Sequence, residues 1–134
     1  MSSDIRHVTV DCTEPYELAT FWSAVIGHPV DPEDQPGDDE VGLTVPAGAG
    51  PELLFVRVPD GKPGKNRVHL DLQPHVARDQ EVQRLRKLGA TLVDDRRRPD
   101  GTGWVVLADP EGNEFCVERS AAERHKKVDH RSTP

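Results

Sequence analysis

Slide this chain against itself by 62 residues and its punctuation falls into line without a gap. His7 meets His69, Gly27 meets Gly89, Val30 meets Leu92, Gly50 meets Gly112 and Glu52 meets Glu114. The segment 7-HVTVD-11 lies over 69-HLDLQ-73, and 52-ELLFV-56 lies over 114-EFCVE-118. A run of matches at one constant offset means one supersecondary unit present twice. The fold must therefore be built from two like modules.

Each copy reads in the same order. In the first, Val8, Val10 and Cys12 alternate with His7, Thr9 and Asp11, the pattern of a half-buried strand. Thr13 is expected to cap the helix that follows, with Pro15 in its first turn where a missing N–H costs nothing. Leu18, Phe21, Trp22, Val25 and Ile26 recur at helical spacing, and Gly27 is placed to end the helix in the left-handed conformation. Strands are expected at His28–Val30, Val41–Pro46 and Glu52–Val58. The second copy reads as a strand at Val68–Gln73 and a helix from about Arg78 to Leu88 closed by Gly89. Strands near Thr91–Asp94, Trp104–Ala108 and Glu114–Arg119 follow. The fold class is α+β, with two tandem β-α-β-β-β modules at about 4–60 and 66–119 inside one domain, 1–120. Residues 121–134 lack periodicity and read as a mobile polar tail.

Composition bounds the rest. A chain of 134 residues with 34% hydrophobic and 4% aromatic content supports one domain with a thin core. A net charge of -7 argues against nucleic acid, whose phosphates need a basic surface. No apolar run approaches the roughly 18 to 20 residues of a membrane helix. The start MSSDIRHVTVDC lacks the basic and apolar regions of a secretory signal. Two cysteines, Cys12 and Cys116, are too few for a disulfide framework, so the chain reads as a reduced, cytoplasmic protein.

Strand parity divides the side chains into two sets. Val8, Val10, Val68, Leu70, Leu72, Leu53, Phe55, Phe115 and Val117 form the helix-facing set, and Trp22 joins the core from its helix. The opposite face carries His7, Thr9, Asp11, His69, Asp71, Leu54, Val56, Val58, Cys116 and Glu118, with Trp104 and Val106 in line with Gly42 and Thr44. A mixture of apolar and ionisable groups on one sheet face suits a concave pocket with a few convergent polar groups.

The paired modules, the histidine opening each of them, the helix segment 18-LATFWSAVIG-27 and the closing 109-DPEGNEFCV-117 resemble the vicinal oxygen chelate superfamily, in particular its glyoxalase-like domains. The resemblance covers roughly residues 4 to 119. It implies a cup-shaped sheet, a homodimer, and metal ligands drawn from the first and last strand of each module. Carried over position by position, those sites are His7, Leu54, His69 and Cys116. Leu54 cannot bind a metal, and Cys116 stands where the enzymes of the superfamily usually have glutamate. A zinc site at His7, His69 and Cys116 is chemically allowed, whereas Mg²⁺ or Mn²⁺ would want the missing carboxylate.

The residues favour a metal-independent reading, with no cofactor. The cup lined by Leu54, Val56, Val58 and Trp104 is expected to bind a small, partly apolar organic molecule. Cys116 serves as a wall there, and Asp71 as a polar contact. His7, His69 and Glu118 are the candidates for acid–base work. Such a protein would sequester its ligand, as bleomycin-binding resistance proteins do, or carry out metal-free chemistry. The alternative is a metal-dependent lyase or isomerase using His7, His69 and Cys116. A module that binds a partner without a ligand stands third. The run 96-RRRPDG-101 reads as a solvated loop.

Overall fold

The computed structural model describes residues 2–124. They divide into two compact units between Pro63 and Gly64. Among the described residues, the first unit contains β1 (His7–Cys12), α1 (Pro15–Ile26), β2 (Glu40–Gly42) and β3 (Glu52–Arg57). The second contains β4 (Asp71–Leu72), α2 (Arg78–Leu88), β5 (Thr91–Asp95), β6 (Val105–Ala108) and β7 (Glu114–Val117). Their sheets run β1-β3-β2 and β4-β7-β6-β5. In each unit the strand before the helix pairs in parallel with the last strand, which in turn pairs antiparallel with the strand before it.

In the first unit α1 begins at Pro15, whose absent N–H is one the first turn leaves unpaired anyway. Glu14 is its N-cap and no side chain caps it, so the expected Thr13 cap does not form; the Thr13 carbonyl instead accepts a bond from Arg57 Nη1 at 2.7 Å. Gly27 closes the helix at φ 76°, a conformation that penalises any side chain bearing a Cβ. Leu18, Phe21, Trp22 and Val25 are buried, as are Val41, Leu43, Leu53 and Phe55. Phe21 and Trp22 meet edge to face at 5.5 Å. The strand expected over His28–Val30 shrinks to a single bridge, Val30 to Leu43, and the one expected over Val41–Pro46 is the shorter β2.

In the second unit α2 has the expected span, and Gly89 ends it at φ 124°. Its buried members are Arg78, Glu81 and Leu85, so a single leucine anchors it apolarly. Phe115, Val117, Val105 and Leu107 supply the rest of that core. The strand expected from Val68 is reduced to Asp71–Leu72, and Val68 is 79% exposed rather than helix-facing. The reason is local. The Glu114 N–H is taken by the Asn66 side chain at 3.0 Å, and backbone pairing with β7 begins only where the Cys116 N–H reaches the Leu70 carbonyl.

Residues 121–124 form a helical turn where no periodicity is visible in the sequence. Ser120 Oγ accepts from the Glu123 N–H at 3.1 Å and Glu123 Oε1 accepts from the Ser120 N–H at 2.9 Å, the reciprocal pair of a capping box. The remainder of the expected tail, residues 125–134, lies outside the described residues.

Candidate functional site

The last strand of the second unit carries Cys116 on the face away from Phe115 and Val117. Parallel pairing sets Asp71 of β4 directly opposite it, and His69 lies two residues before Asp71. The result is a cluster of three different donors. His69 Nδ1 lies 3.3 Å from Asp71 Oδ1 and 3.9 Å from Cys116 Sγ. One ligand atom from each of the three residues lies within 4.8 Å of the other two. The imidazole and carboxylate are exposed, while the thiol is only 6% exposed.

Burial first, and then the neighbouring Asp71 and Glu118 carboxylates, push the Cys116 thiol up to about 11. Water and counter-charge are what stabilise a thiolate; this sulfur is buried, and the positive charge of Lys65 is outweighed by the two carboxylates. Without a cation beside it, Cys116 is a neutral thiol and a poor nucleophile. A cation placed among the three donors would reverse that, because a coordinating thiol is deprotonated outright.

The two spacings from His69 Nδ1 fit such an ion. Zinc bonds of about 2.0 to 2.2 Å to nitrogen and oxygen and about 2.3 Å to sulfur give tetrahedral edges of about 3.3 Å between nitrogen and oxygen and about 3.6 Å between nitrogen and sulfur. The observed edges of 3.3 and 3.9 Å lie close to both. Three protein donors with a fourth position open is the arrangement of zinc sites that act on a ligand.

His7, in the first unit, has Nε2 3.7 Å from Glu52 Oε1. Both line a cavity of about 400 Å³ with Leu43, Leu53, Leu54 and Arg6. Val56 and Val58 are half-buried on the same parity as Leu54. Trp104 is exposed just before β6. Glu118 accepts from Arg124 Nη2 at 2.9 Å, so its carboxylate is paired with the first turn after the sheet. Two of the run's three arginines are paired with carboxylates: Arg96 with Asp94, and Arg97 with Asp95 and Asp79, while Arg98 Nη1 donates to Thr102 Oγ1.

Sequence reasoning misses two of these partners, because Glu123 and Arg124 fall in the segment that reads as a tail. The pattern 120-SAAE-123, Ser and Glu three apart, carries the signal that finds Glu123; no local pattern marks Arg124.

The fold is that of the vicinal oxygen chelate superfamily. Residues 7–118 match the family model of the Glyoxalase-like domain, and the chain belongs to that family. A glyoxalase/bleomycin resistance protein/dioxygenase family enzyme from Burkholderia phytofirmans is similar at a TM-score of 0.67 and 19% identity, over 86% of this chain and 97% of that one. The genomically encoded fosfomycin resistance protein of Listeria monocytogenes is similar at 0.66 and 18%, over 95% and 99%. A hypothetical protein from S. aureus is similar at 0.66 and 16%, over 89% and 95%. At these identities the likeness is one of fold. No curated protein sequence matches the chain. Among the described residues no helix is long and apolar enough to cross a membrane.

Proposed function

We propose that this glyoxalase-like protein binds a small oxygen-bearing organic molecule at the His69–Asp71–Cys116 group, with a divalent ion of zinc type held by those three side chains. The observation that carries the reading is the convergence of imidazole, carboxylate and thiol, with the two separations from His69 Nδ1 close to tetrahedral edges. When bound, such an ion polarises a ligand oxygen as a Lewis acid. The chain's own groups do the rest. Asp71 fixes the His69 ring by accepting at Nδ1 in the ion-free protein and becomes a ligand beside it. Cys116 contributes a soft donor, which disfavours Mg²⁺ and Mn²⁺. Proton transfer at Glu118 would make the reaction one of lyase or isomerase type. The protein would act as a homodimer, the commonest closed assembly.

A second reading is metal-free sequestration of the ligand. The first-unit cavity of about 400 Å³ supports it by its size; Arg6, His7, Asp31, Asp34, Glu40 and Glu52 surround Leu43, Leu53 and Leu54 there, so the ligand it suits is a polar one.

Metal content separates the two. Protein purified without an affinity tag is expected to carry near-stoichiometric zinc-type metal that is lost in Cys116→Ala. Metal-free protein whose melting temperature does not move with Zn²⁺ would leave sequestration as the account.

A further inference from the structure

Among the described residues, two buried N–H donors of the second unit have no acceptor. Arg78, the first residue of α2, is 4% exposed. Its Nη1 and Nη2 donate to the carbonyls of Gly103 at 2.8 Å and Gly101 at 3.0 Å. Its Nε is buried without a partner, and so is Nη1 of Arg119. A buried donor left unmade costs the desolvation of that group, and more when the group is charged. Orphans of this kind in a folded protein call for an explanation, an ion or a water among them.

The charges around them point the same way. Arg119 and Arg97 lie near enough to oppose the charge of Arg78, while Glu123 and Asp79 favour it. Arg97 is already engaged by Asp95 and Asp79. Arg78 spends its two terminal nitrogens on neutral carbonyls.

The same helix end already holds an anion of the chain's own making. Ala77 stands at the N-cap and offers no side-chain acceptor. Glu123 Oε1 takes its place, accepting from the Arg78 N–H at 2.9 Å and from the Ser120 N–H at 2.9 Å. A carboxylate at the start of an 11-residue helix sits where both the free N–H groups and the helix dipole favour negative charge.

We propose that the N-terminal end of α2, with Arg78 Nε and Arg119 Nη1, is a binding site for a small oxyanion, a phosphate or carboxylate group, and that Glu123 is its intramolecular occupant. The site lies apart from the His69–Asp71–Cys116 reading and does not depend on it. An oxyanion has lone pairs to spare and answers both orphaned donors, which a single Glu123 oxygen shared between two backbone N–H groups does not. Each arginine would give it one charge-assisted N–H bond.

Isothermal titration of the full chain with inorganic phosphate tests this, with acetate in parallel at constant ionic strength. Saturable phosphate uptake is expected, weakened about tenfold or more in Arg119→Gln, since a charge-assisted bond is lost. Uptake should tighten in Glu123→Gln, where the internal competitor has lost its charge. If Arg119→Gln does not fold by circular dichroism, Arg119→Lys keeps the charge without the fork and should still bind more weakly than wild type. Tighter phosphate than acetate identifies a phosphate-type ligand, and the reverse order a carboxylate. No saturable uptake of either anion, or uptake indifferent to position 119, would overturn the proposal and assign the two donors to water only.

Discussion

Asp71 and Cys116 stand opposite one another in the parallel pairing of β4 with β7, and Thr9 and Leu54 hold the same register in the pairing of β1 with β3. The two pairs are related by the 62-residue repeat. One copy of the module thus carries His69, Asp71 and Cys116, and the other carries His7, Thr9 and Leu54 at the matching places. The duplicated frame is kept while two of three donors are present in only one copy. Backbone register supplies the geometry, and side-chain identity decides which copy offers three donors.

That relationship can be run in reverse. Thr9→Asp together with Leu54→Cys places an imidazole, a carboxylate and a thiol on the first unit in the register the second unit uses. Zinc titration followed by a chromogenic chelator should show a second equivalent of zinc bound per chain. Uptake unchanged from wild type would mean that register alone does not make the site.

The thin cores make single aromatic residues matter. Phe115 is 1% exposed, and Phe115→Ala should cost about 3–5 kcal/mol in urea unfolding. Trp104, at 36% exposure, should cost about 1 kcal/mol or less when replaced by alanine. Equal losses at the two positions would contradict the assignment of Phe115 to the core and Trp104 to the surface.

The loop ahead of Trp104 depends on two glycines for different reasons. Gly101 has φ +90° with open space where a methyl would project, so Gly101→Ala should cost only the left-handed strain, about 1–2 kcal/mol. Gly103 has φ +92° and a Cβ there would lie 2.1 Å from the Arg96 carbonyl oxygen. Gly103→Ala should therefore cost clearly more, and hydrogen exchange should show the 96–103 backbone losing protection. Similar melting curves for the two variants would contradict the close approach of Gly103 to Arg96.

Acid should reveal the Asp95–Arg97 pair. Hydrogen bonds from Arg97 hold the Asp95 carboxyl at about 2. A carboxyl depressed in the folded state contributes stability that is complete above its ordinary value of 3.8 and fades as pH falls through about 2. Asp95→Asn should be less stable than wild type near neutrality by about 0.5–1 kcal/mol, a value discounted for exposure. The gap between the two should close as the pH is lowered to about 2. A gap that persists there would assign the loss to packing.

Much of the fold was legible because the repeat and the helix signals are local. The apolar stripe from Leu18 to Ile26, Pro15 at its start and Gly27 and Gly89 at the helix ends depend on nearby chain only. The strand from Val68 failed because alternation cannot report whether a partner backbone is available, and Asn66 takes the N–H that would have extended the ladder. The offset also slips by two in the middle strands: Gly42 pairs with Leu54, whereas Val106 pairs with Cys116. Parity survives a slip of two, so the faces read correctly while the match of Thr44 to Val106 does not hold. Parity alone put His69, Asp71 and Cys116 on one face. That Asp71 stands directly opposite Cys116 was not legible, because it follows from the register of β4 on β7.

The central claim, a three-donor site on the second unit, is tested most directly by cobalt. Co²⁺ added to chelator-treated protein should give the intense visible bands of tetrahedral coordination and a near-ultraviolet thiolate-to-cobalt band. The thiolate band should vanish in Cys116→Ser, and uptake should weaken in Asp71→Asn. A spectrum of hexaaquo cobalt alone, or one unaltered by both substitutions, would contradict the site.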